Sequence, residues 1–202
     1  LRGGDDGAPG HVNGDVGLIA QPLAGHDLAL HGPITQLQRM RPDAERDARR
    51  PGEPATQPFV EALDDAGAYL QNLYLRNNEH AIGSKLLLDA ADDQSTYSKV
   101  HASFHPLFRS ILQKYGLADV FLIDAETGRI LYTVHKEPDF AASLRTGPLV
   151  GTSLAAAFLE AVGSGRRDAV AYGPFARYFP SCMEPASFLA VPLYDGRQLP
   201  SS

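Results

Sequence analysis

The spacing of apolar residues predicts two amphipathic helices followed by a region of strands. From residue 58 to about residue 74, apolar side chains recur every three or four positions, which is typical of a helix with one apolar face. A second stripe of the same spacing runs from about Ser95 to Tyr115. Pro106 is expected to kink this second helix or to begin a new segment, and Gly116 is well placed to end it.

After Gly116 the apolar spacing becomes that of strands. The runs VFLID and RILYTV flank a short turn at 126–128, where Gly128 can supply the positive φ that a hairpin turn needs. A helix is predicted at 153–162, with Thr152 or Ser153 as its N-cap and Gly163 at its end. Two more strands are predicted in DAVAYGPF (168–175) and SFLAVPLYD (187–195). This order predicts an α+β fold, with an antiparallel sheet preceded by long helices.

Residues 1–57 differ in composition from the rest of the chain. Their glycine, aspartate, proline and charged residues follow no period, so this part is expected to be disordered or loosely packed. A short helix is predicted within it, at 26–40. The chain therefore divides into this N-terminal segment, a helical region at 58–116 and a sheet domain at 117–202.

Composition excludes several classes of protein. The formal net charge is −6 and no stretch clusters basic residues, which argues against nucleic-acid binding. The single cysteine, Cys182, excludes an internal disulfide framework and a cysteine-based zinc ribbon. No apolar run approaches the roughly 20 residues that span a bilayer. Because the chain begins at Leu1, we expect it to be a fragment whose membrane anchors lie elsewhere in the parent protein.

Two histidines and an arginine are candidate functional residues on the second helix. His101 and His105 are four positions apart and so share a helix face, as a metal-binding pair would. A zinc hydrolase of this kind needs a glutamate beside the first histidine, but Ala102 stands there and no third ligand is evident. Packing histidines without a metal are therefore favoured. For Arg109, an exposed position is favoured over a buried anion-binding one.

The KEPD segment at 136–139 has two interpretations that the residues leave open. Lys136 could hold a carboxylate of a ligand while Asp139 accepts a hydrogen bond from an amine or hydroxyl. Alternatively, the segment is a solvated loop whose internal ion pair contributes less than about 1 kcal/mol.

The aromatic segment FARYFPSCMEP (175–185) is also open to two interpretations. It could wall an apolar pocket, or its aromatic residues could cap the core. Ser181 lies beside Cys182 but lacks the glycine-flanked turn of a nucleophilic serine. No catalytic set is evident in the chain.

Taken together, these residues resemble the Cache-type, PAS-like extracytoplasmic sensor domains of bacterial transmembrane receptors. Such domains precede chemotaxis signalling modules, histidine kinases and nucleotide cyclases. The resemblance covers about residues 58–195, and four motifs carry it: SxYxxxHxxFHPxFR (95–109), DVFLIDAETGRILYTVHKEPDF (119–140), SLxxGP (143–148) and FxxYxPSxxxPASFLAxPLYD (175–195).

The resemblance implies a ligand-sensing input domain without catalysis or a cofactor of its own. It implies a small polar or anionic metabolite as ligand, a homodimer, and a position in the inner membrane through flanking segments, with this domain facing the periplasm. The residues that it places beside the ligand are Tyr97, His101, His105, Arg109, Lys136, Asp139, Phe140, Tyr178, Ser181 and Phe188.

The C-terminal end departs from the pattern of these domains. Their fifth strand follows the Asp-Gly turn and lies centrally, between the first and fourth strands, but here YDG at 194–196 is followed by RQLPSS. We therefore expect the last strand to be missing, so that the sheet is marginal or borrows a strand from another chain. Two other functions remain as alternatives: a metal-dependent hydrolase using His101 and His105, and a dimerisation module without a ligand.

Overall fold

The computed structural model of the chain describes residues 62–194 and one earlier strand at 16–20. In chain order its main elements are β1 (Val16–Ala20), α1 (Asp65–Gln71), α2 (Thr96–Tyr115), β2 (Val120–Asp124), β3 (Ile130–Thr133), α3 (Ser153–Gly163), β4 (Ala171–Tyr178) and β5 (Glu184–Leu193). A π-helical turn, Asn72–Arg76, extends α1. The described residues therefore form an α+β fold, as the sequence predicts.

Helix α2 has the bounds that its sequence signals indicate. The Ser95 hydroxyl accepts a hydrogen bond from the amide of Ser98, and Gly116 ends the helix in the left-handed conformation at φ 62°. The helix continues through Pro106, where a new segment was one expectation. The carbonyl of Ala102 lacks its usual helical partner, because Pro106 has no N–H to donate. Both residues are exposed, so water can satisfy this carbonyl.

The β2–β3 hairpin closes on side-chain as well as backbone contacts. Asp124 is buried, and its Oδ1 accepts hydrogen bonds from the amide and the hydroxyl of Thr127, at 2.7 and 2.6 Å. Gly128 has φ 70°, the positive value that the turn was predicted to need. The hairpin is therefore confirmed, with short strands on both sides of the turn.

The sheet has five antiparallel strands in the order β3-β2-β1-β5-β4. Strand β1 is central: Val16 lies opposite Asp124 of β2 and Leu193 of β5, and Ala20 lies opposite Val120 and Leu189. Both neighbouring strands therefore have a backbone partner along this register.

This arrangement differs from the expectation that the central strand is missing or comes from another chain. Backbone N–H and C=O groups of β2 and β5 need partners, and a strand from any part of the chain can supply them. Here VGLIA at 16–20 does so, within the segment expected to be disordered or loosely packed. Its five residues are too few to stand out among flanking glycines and aspartates. The rest of 1–57, including the helix predicted at 26–40, lies outside the described residues.

Side chains alternate between the two faces of the sheet, and each face has its own core. We call the face that packs on α3 the α3 face and the opposite one the α2 face. Along β2, Phe121 and Ile123 belong to the α3 face, whereas Val120 and Leu122 belong to the α2 face. The α3 face also contains Ile130, Leu144, Leu154, Phe158, Tyr178 and Phe188, and the α2 face Leu70, Tyr74, Tyr97, Phe108, Tyr132, Val134 and Phe140.

Element bounds differ from the predicted ones mainly at the ends. Helix α1 begins at Asp65, with Asp64 as its N-cap, rather than near Pro58. Strand β4 continues to Tyr178, beyond the predicted end at Phe175. Strand β5 begins at Glu184 rather than at Ser187. Pro174, the exposed Phe175 and Pro185 lie at or beside these strand ends and obscure a two-residue period.

Candidate functional site

The residues that follow β3 form a tight segment, 136–141, which contacts both faces of the sheet. Lys136 and Ala141, at its two ends, have φ values of 58° and 65°, which side-chain-bearing residues seldom adopt. Within it the amide of Phe140 donates to the carbonyl of Glu137 at 3.0 Å, and the amide of Ala141 donates to that of Ile130 at 3.0 Å. Strained backbone of this kind is held by its surroundings and clusters at binding sites.

Lys136 is buried on the α2 face among aromatic rings. Its Nζ donates to the carbonyl of Thr133 and lies 4.4 Å from the ring centroid of Tyr132 and 5.6 Å from that of Phe140. Burial lowers the pKa of Lys136 to about 7, against the opposing effect of the Asp119 carboxylate. The predicted solvated loop is therefore wrong for this residue, which is 1% exposed.

Asp139 is buried on the opposite side, with one carboxylate oxygen unpartnered. Its Oδ2 accepts a hydrogen bond from the Tyr178 hydroxyl at 2.7 Å, while Oδ1 has no partner among the described residues. Burial raises the pKa of Asp139 to about 8, and the charges of Asp119 and Glu137 add to this effect. Lys136 and Asp139 therefore do not form the joint ligand clamp that KEPD suggests, because their functional groups enter different cores.

The loop between β4 and β5, residues 178–183, contacts segment 136–141 through a pair of side chains. Ser181 donates its hydroxyl hydrogen to the Glu137 carboxylate. The loop closes through a hydrogen bond from the Met183 amide to the Tyr178 carbonyl at 3.1 Å, and Cys182 and Met183 have φ values of 53° and 66°. Two successive left-handed residues without glycine make this loop a second strained segment. Phe188 packs beneath it, with its ring centroid 4.9 Å from that of Tyr178.

The histidines of α2 have specific hydrogen-bond partners. His105 lies between the Leu86 carbonyl, 2.7 Å from Nε2, and the Tyr132 hydroxyl, 2.7 Å from Nδ1. A carbonyl can only accept, so Nε2 carries the proton of His105 and Nδ1 accepts from Tyr132. His101 has its Nδ1 2.6 Å from the Asp89 carbonyl, which places its proton on Nδ1, and its Nε2 has no partner among the described residues.

These contacts weigh against the metal interpretation of the pair. The two rings stack at a centroid distance of 4.4 Å, and both nitrogens of His105 are engaged. Burial lowers the pKa of His105 to about 3 and that of His101 well below its ordinary value. In the described part of the chain, no three His, Cys, Asp or Glu side chains are grouped as a metal ion would require.

The histidine assignments give a prediction for NMR. We expect ¹⁵N-resolved spectra to show His101 protonated at Nδ1 and His105 at Nε2, with both rings uncharged at pH values where a free histidine is charged. Burial keeps both rings uncharged, whereas the carbonyl acceptors fix which nitrogen carries the proton and act to raise each pKa. A zinc titration that shifts neither ring would agree with this arrangement. Titration of either ring near the ordinary histidine pKa would contradict it.

The other two predicted residues of α2 also support the helix packing. The Tyr97 hydroxyl donates to the Leu131 carbonyl at 2.9 Å. Arg109 is only partly exposed, and its Nη1 donates to the Leu86 carbonyl at 2.9 Å and to Asp89 at 2.7 Å. The expectation of an exposed Arg109 is therefore corrected: its guanidinium fixes the 86–89 loop against α2.

The structure thus divides the ten predicted site residues between the two faces. Asp139, Tyr178, Ser181 and Phe188 come together at the α3 face, where the 178–183 loop meets segment 136–141. Six others belong to the α2 face or its helix: Tyr97, His101, His105, Arg109, Lys136 and Phe140. Among the described residues, the ten side chains therefore do not all lie on one face of the sheet.

Three residues of this region were not singled out by the sequence. Glu137 pairs with Ser181, Tyr132 with His105, and Asp119 with the backbone amides of Val134 and His135, which directly follow β3. Glu137 could have been selected, because it lies within KEPD. Tyr132 and Asp119 carry no local signal, since one occupies an ordinary strand position and the other an ordinary loop position.

Comparisons with protein-family models, with curated proteins and with solved structures give no match for this chain. Among the helices that the structure describes, none is both long enough and apolar enough to cross a bilayer. The geometry around segment 136–141 is the part of the described structure that bears on function.

Proposed function

We propose that this chain is the ligand-sensing input domain of a bacterial membrane receptor of the Cache type. The observation that carries the proposal is the buried carboxylate of Asp139, which has an unpartnered oxygen beneath a strained loop. Buried polar groups without partners are rare in folded proteins and point to a function. A bound small molecule would supply the missing hydrogen bond.

The strand order supports assignment of the fold to the PAS-like class. Hairpin β2–β3 lies on one side of a central strand, and the pair β4–β5 lies on the other. The central strand pairs with the first strand of the hairpin and with β5, the last of the described strands. The long helix α2 covers one face and α3 the other.

Contacts of segment 136–141 suggest how ligand binding is transmitted. The Gln71 side chain at the end of α1 donates to the carbonyls of Pro138 and Phe140, at 2.8 and 2.6 Å. Phe140 packs against Tyr74 with a ring-centroid distance of 6.0 Å. A ligand that moves Asp139 therefore also acts on α1 and its π-helical extension, because Pro138 and Phe140, on either side of Asp139, contact them. If the ligand binds one state of the site more favourably by about 1–3 kcal/mol, the equilibrium between the two positions of the coupled helix shifts by the same free energy.

In this proposal the domain faces the periplasm and is held in the inner membrane by flanking segments. It functions as a homodimer, binds a small polar metabolite and performs no turnover itself. Kinase, cyclase or chemotaxis output would belong to another part of the receptor.

A thermal-shift screen of amino acids, organic acids and alkylamines tests this proposal. A ligand present at 100 times its dissociation constant should stabilise the domain by about 2.7 kcal/mol. For a domain of this size, that corresponds to a rise in Tm of about 5–10 °C. Light scattering on the same samples gives the oligomeric state. A dimer that no compound in the screen stabilises would instead favour a dimerisation module without a ligand.

A further inference from the structure

We propose that the α3-face site binds an organic cation, with a ligand ammonium group donating to Oδ1 of Asp139. This inference depends on the proposed sensing function and narrows its ligand class, which the sequence left as polar or anionic. We call the meeting point of Asp139, Glu137, Tyr178 and Ser181 the acidic site.

One hydrogen bond of the buried Asp139 carboxyl group is unmet. If the carboxylate is ionised, Oδ1 is a buried acceptor without a donor. If Oδ1 is protonated, it becomes a buried donor without an acceptor, because Oδ2 is already engaged by Tyr178. Neither protonation state satisfies this oxygen from within the described part of the chain. An incoming N–H donor satisfies it, and the ionised form is then favoured.

The distribution of charge around this oxygen favours a cation over an anion. The carboxylates of Asp119 and Glu137 act on Asp139 and raise its pKa, whereas His135 acts on those two carboxylates in the opposite direction. Lys136, the nearest cation in sequence, directs its Nζ to the Thr133 carbonyl and the Tyr132 ring on the α2 face. Arg177 is exposed and reaches the Met183 carbonyl on the outside of the loop. An anionic ligand would therefore meet like charge at the acidic site, whereas a cation would be attracted.

Aromatic rings lie beside the Asp139 carboxylate. The Tyr178 ring lies edge-on to Phe188 and is tilted against Phe179, with centroid distances of 4.9 and 6.3 Å. A carboxylate beside aromatic rings is the combination that recognises an alkylammonium group, through a charged hydrogen bond and cation–π attraction. The apolar stem of the ligand would pack on the rings.

The 178–183 loop covers this site, and one side-chain hydrogen bond connects the two. Ser181 donates to Glu137, and release of that bond would free a second carboxylate for the ligand. The left-handed residues Cys182 and Met183 are both exposed, so little packing opposes a change in their conformation. Because Asp139 is fully buried, a ligand reaches it only if part of this cover moves, and the exposed residues Cys182 and Met183 are the part that we propose moves.

Titration calorimetry with three probes tests the inference: n-butylammonium, 1,4-diaminobutane and butyrate. We expect the two amines to bind and butyrate to fail. Asp139→Asn should weaken amine binding about tenfold or more, because it removes the charge from the acceptor. Asp168→Asn is the matched control, since Asp168 is an exposed carboxylate that pairs with Arg166. It should leave the affinity unchanged.

Proton release provides a second measurement that does not depend on a variant. Burial holds the pKa of Asp139 at about 8, so its carboxyl is mostly protonated at neutral pH. An ammonium ligand binds the ionised form, and the proton leaves for the buffer. The binding enthalpy of the wild type should therefore differ between phosphate and MOPS. The expected difference is the difference between the ionisation enthalpies of the two buffers, multiplied by the number of protons released, which is at most one. Equal enthalpies in the two buffers would overturn the inference even if Asp139→Asn fails to fold.

The outcomes separate this inference from the proposed function. Binding of butyrate or another acid instead of the amines would overturn the cation assignment and leave the sensing function in place. Amine binding that survives Asp139→Asn would also overturn the assignment. If neither the three probes nor any compound of the wider screen binds, the sensing function fails as well.

Discussion

Replacing Gly173 by alanine is expected to lower the free energy of unfolding by about 3 kcal/mol, because the site has no room for a methyl group. A Cβ built on Gly173 in β4 would lie 2.3 Å from the carbonyl oxygen of Ser153 and 3.4 Å from the Cβ of Ala157. The oxygen belongs to the backbone of the first residue of α3, so no rotamer change can relieve the contact. Helix α3 would have to move away from the sheet. Urea denaturation followed by circular dichroism measures the effect.

Gly163→Ala is the matched control for this prediction. Gly163 is the last residue of α3, and a Cβ added there would meet nothing within 4 Å. Alanine favours helix over glycine by up to about 1 kcal/mol, so this variant should be neutral or slightly stabilised. If Gly173→Ala is as stable as the wild type, the close approach of α3 to β4 is wrong. The α3 face and its acidic site would then need a different description.

Removal of the Asp119 carboxylate is expected to cost about 3 kcal/mol or more, because it leaves several buried donors without an acceptor. Its Oδ1 accepts from the amides of Val120 at 2.7 Å, Val134 at 2.9 Å and His135 at 3.3 Å. Its Oδ2 accepts from the Thr133 hydroxyl. One buried side chain thereby joins the start of β2 to the end of β3. Asp119→Ala should lower the denaturation midpoint accordingly.

Asp119→Asn separates the hydrogen bonds from the charge. Its carbonyl oxygen can still accept from the three amides, and its NH₂ can donate to the Thr133 hydroxyl, so it should be clearly more stable than Asp119→Ala. Both variants should lower the pKa of Lys136 further, since the Asp119 charge acts to raise it. NMR titration of the Lys136 side chain measures this shift. Equal stability of the alanine and asparagine variants would contradict the role given to these hydrogen bonds.

Sequence reasoning identified the segment that matters but not the relation between its residues. KEPD was selected because a cation and two anions follow a hairpin, and Lys136 and Asp139 are indeed buried there. Lys136 and Ala141 also have positive φ values, for which neither residue type carries a signal. The Ser181–Glu137 contact joins residues 44 positions apart, a distance that no local pattern spans.

The sequence by itself determined the elements whose causes are local. Helix α2 follows from its apolar stripe, its Ser95 cap and Gly116, and the β2–β3 hairpin follows from two apolar runs around Gly128. Tertiary structure alone decided which strand occupies the centre of the sheet. The backbone N–H and C=O groups of β2 and β5 can hydrogen-bond to any strand that lies between them. It also decided that the candidate site residues lie on two faces. Burial and charge at those residues depend on neighbours that are distant in the chain.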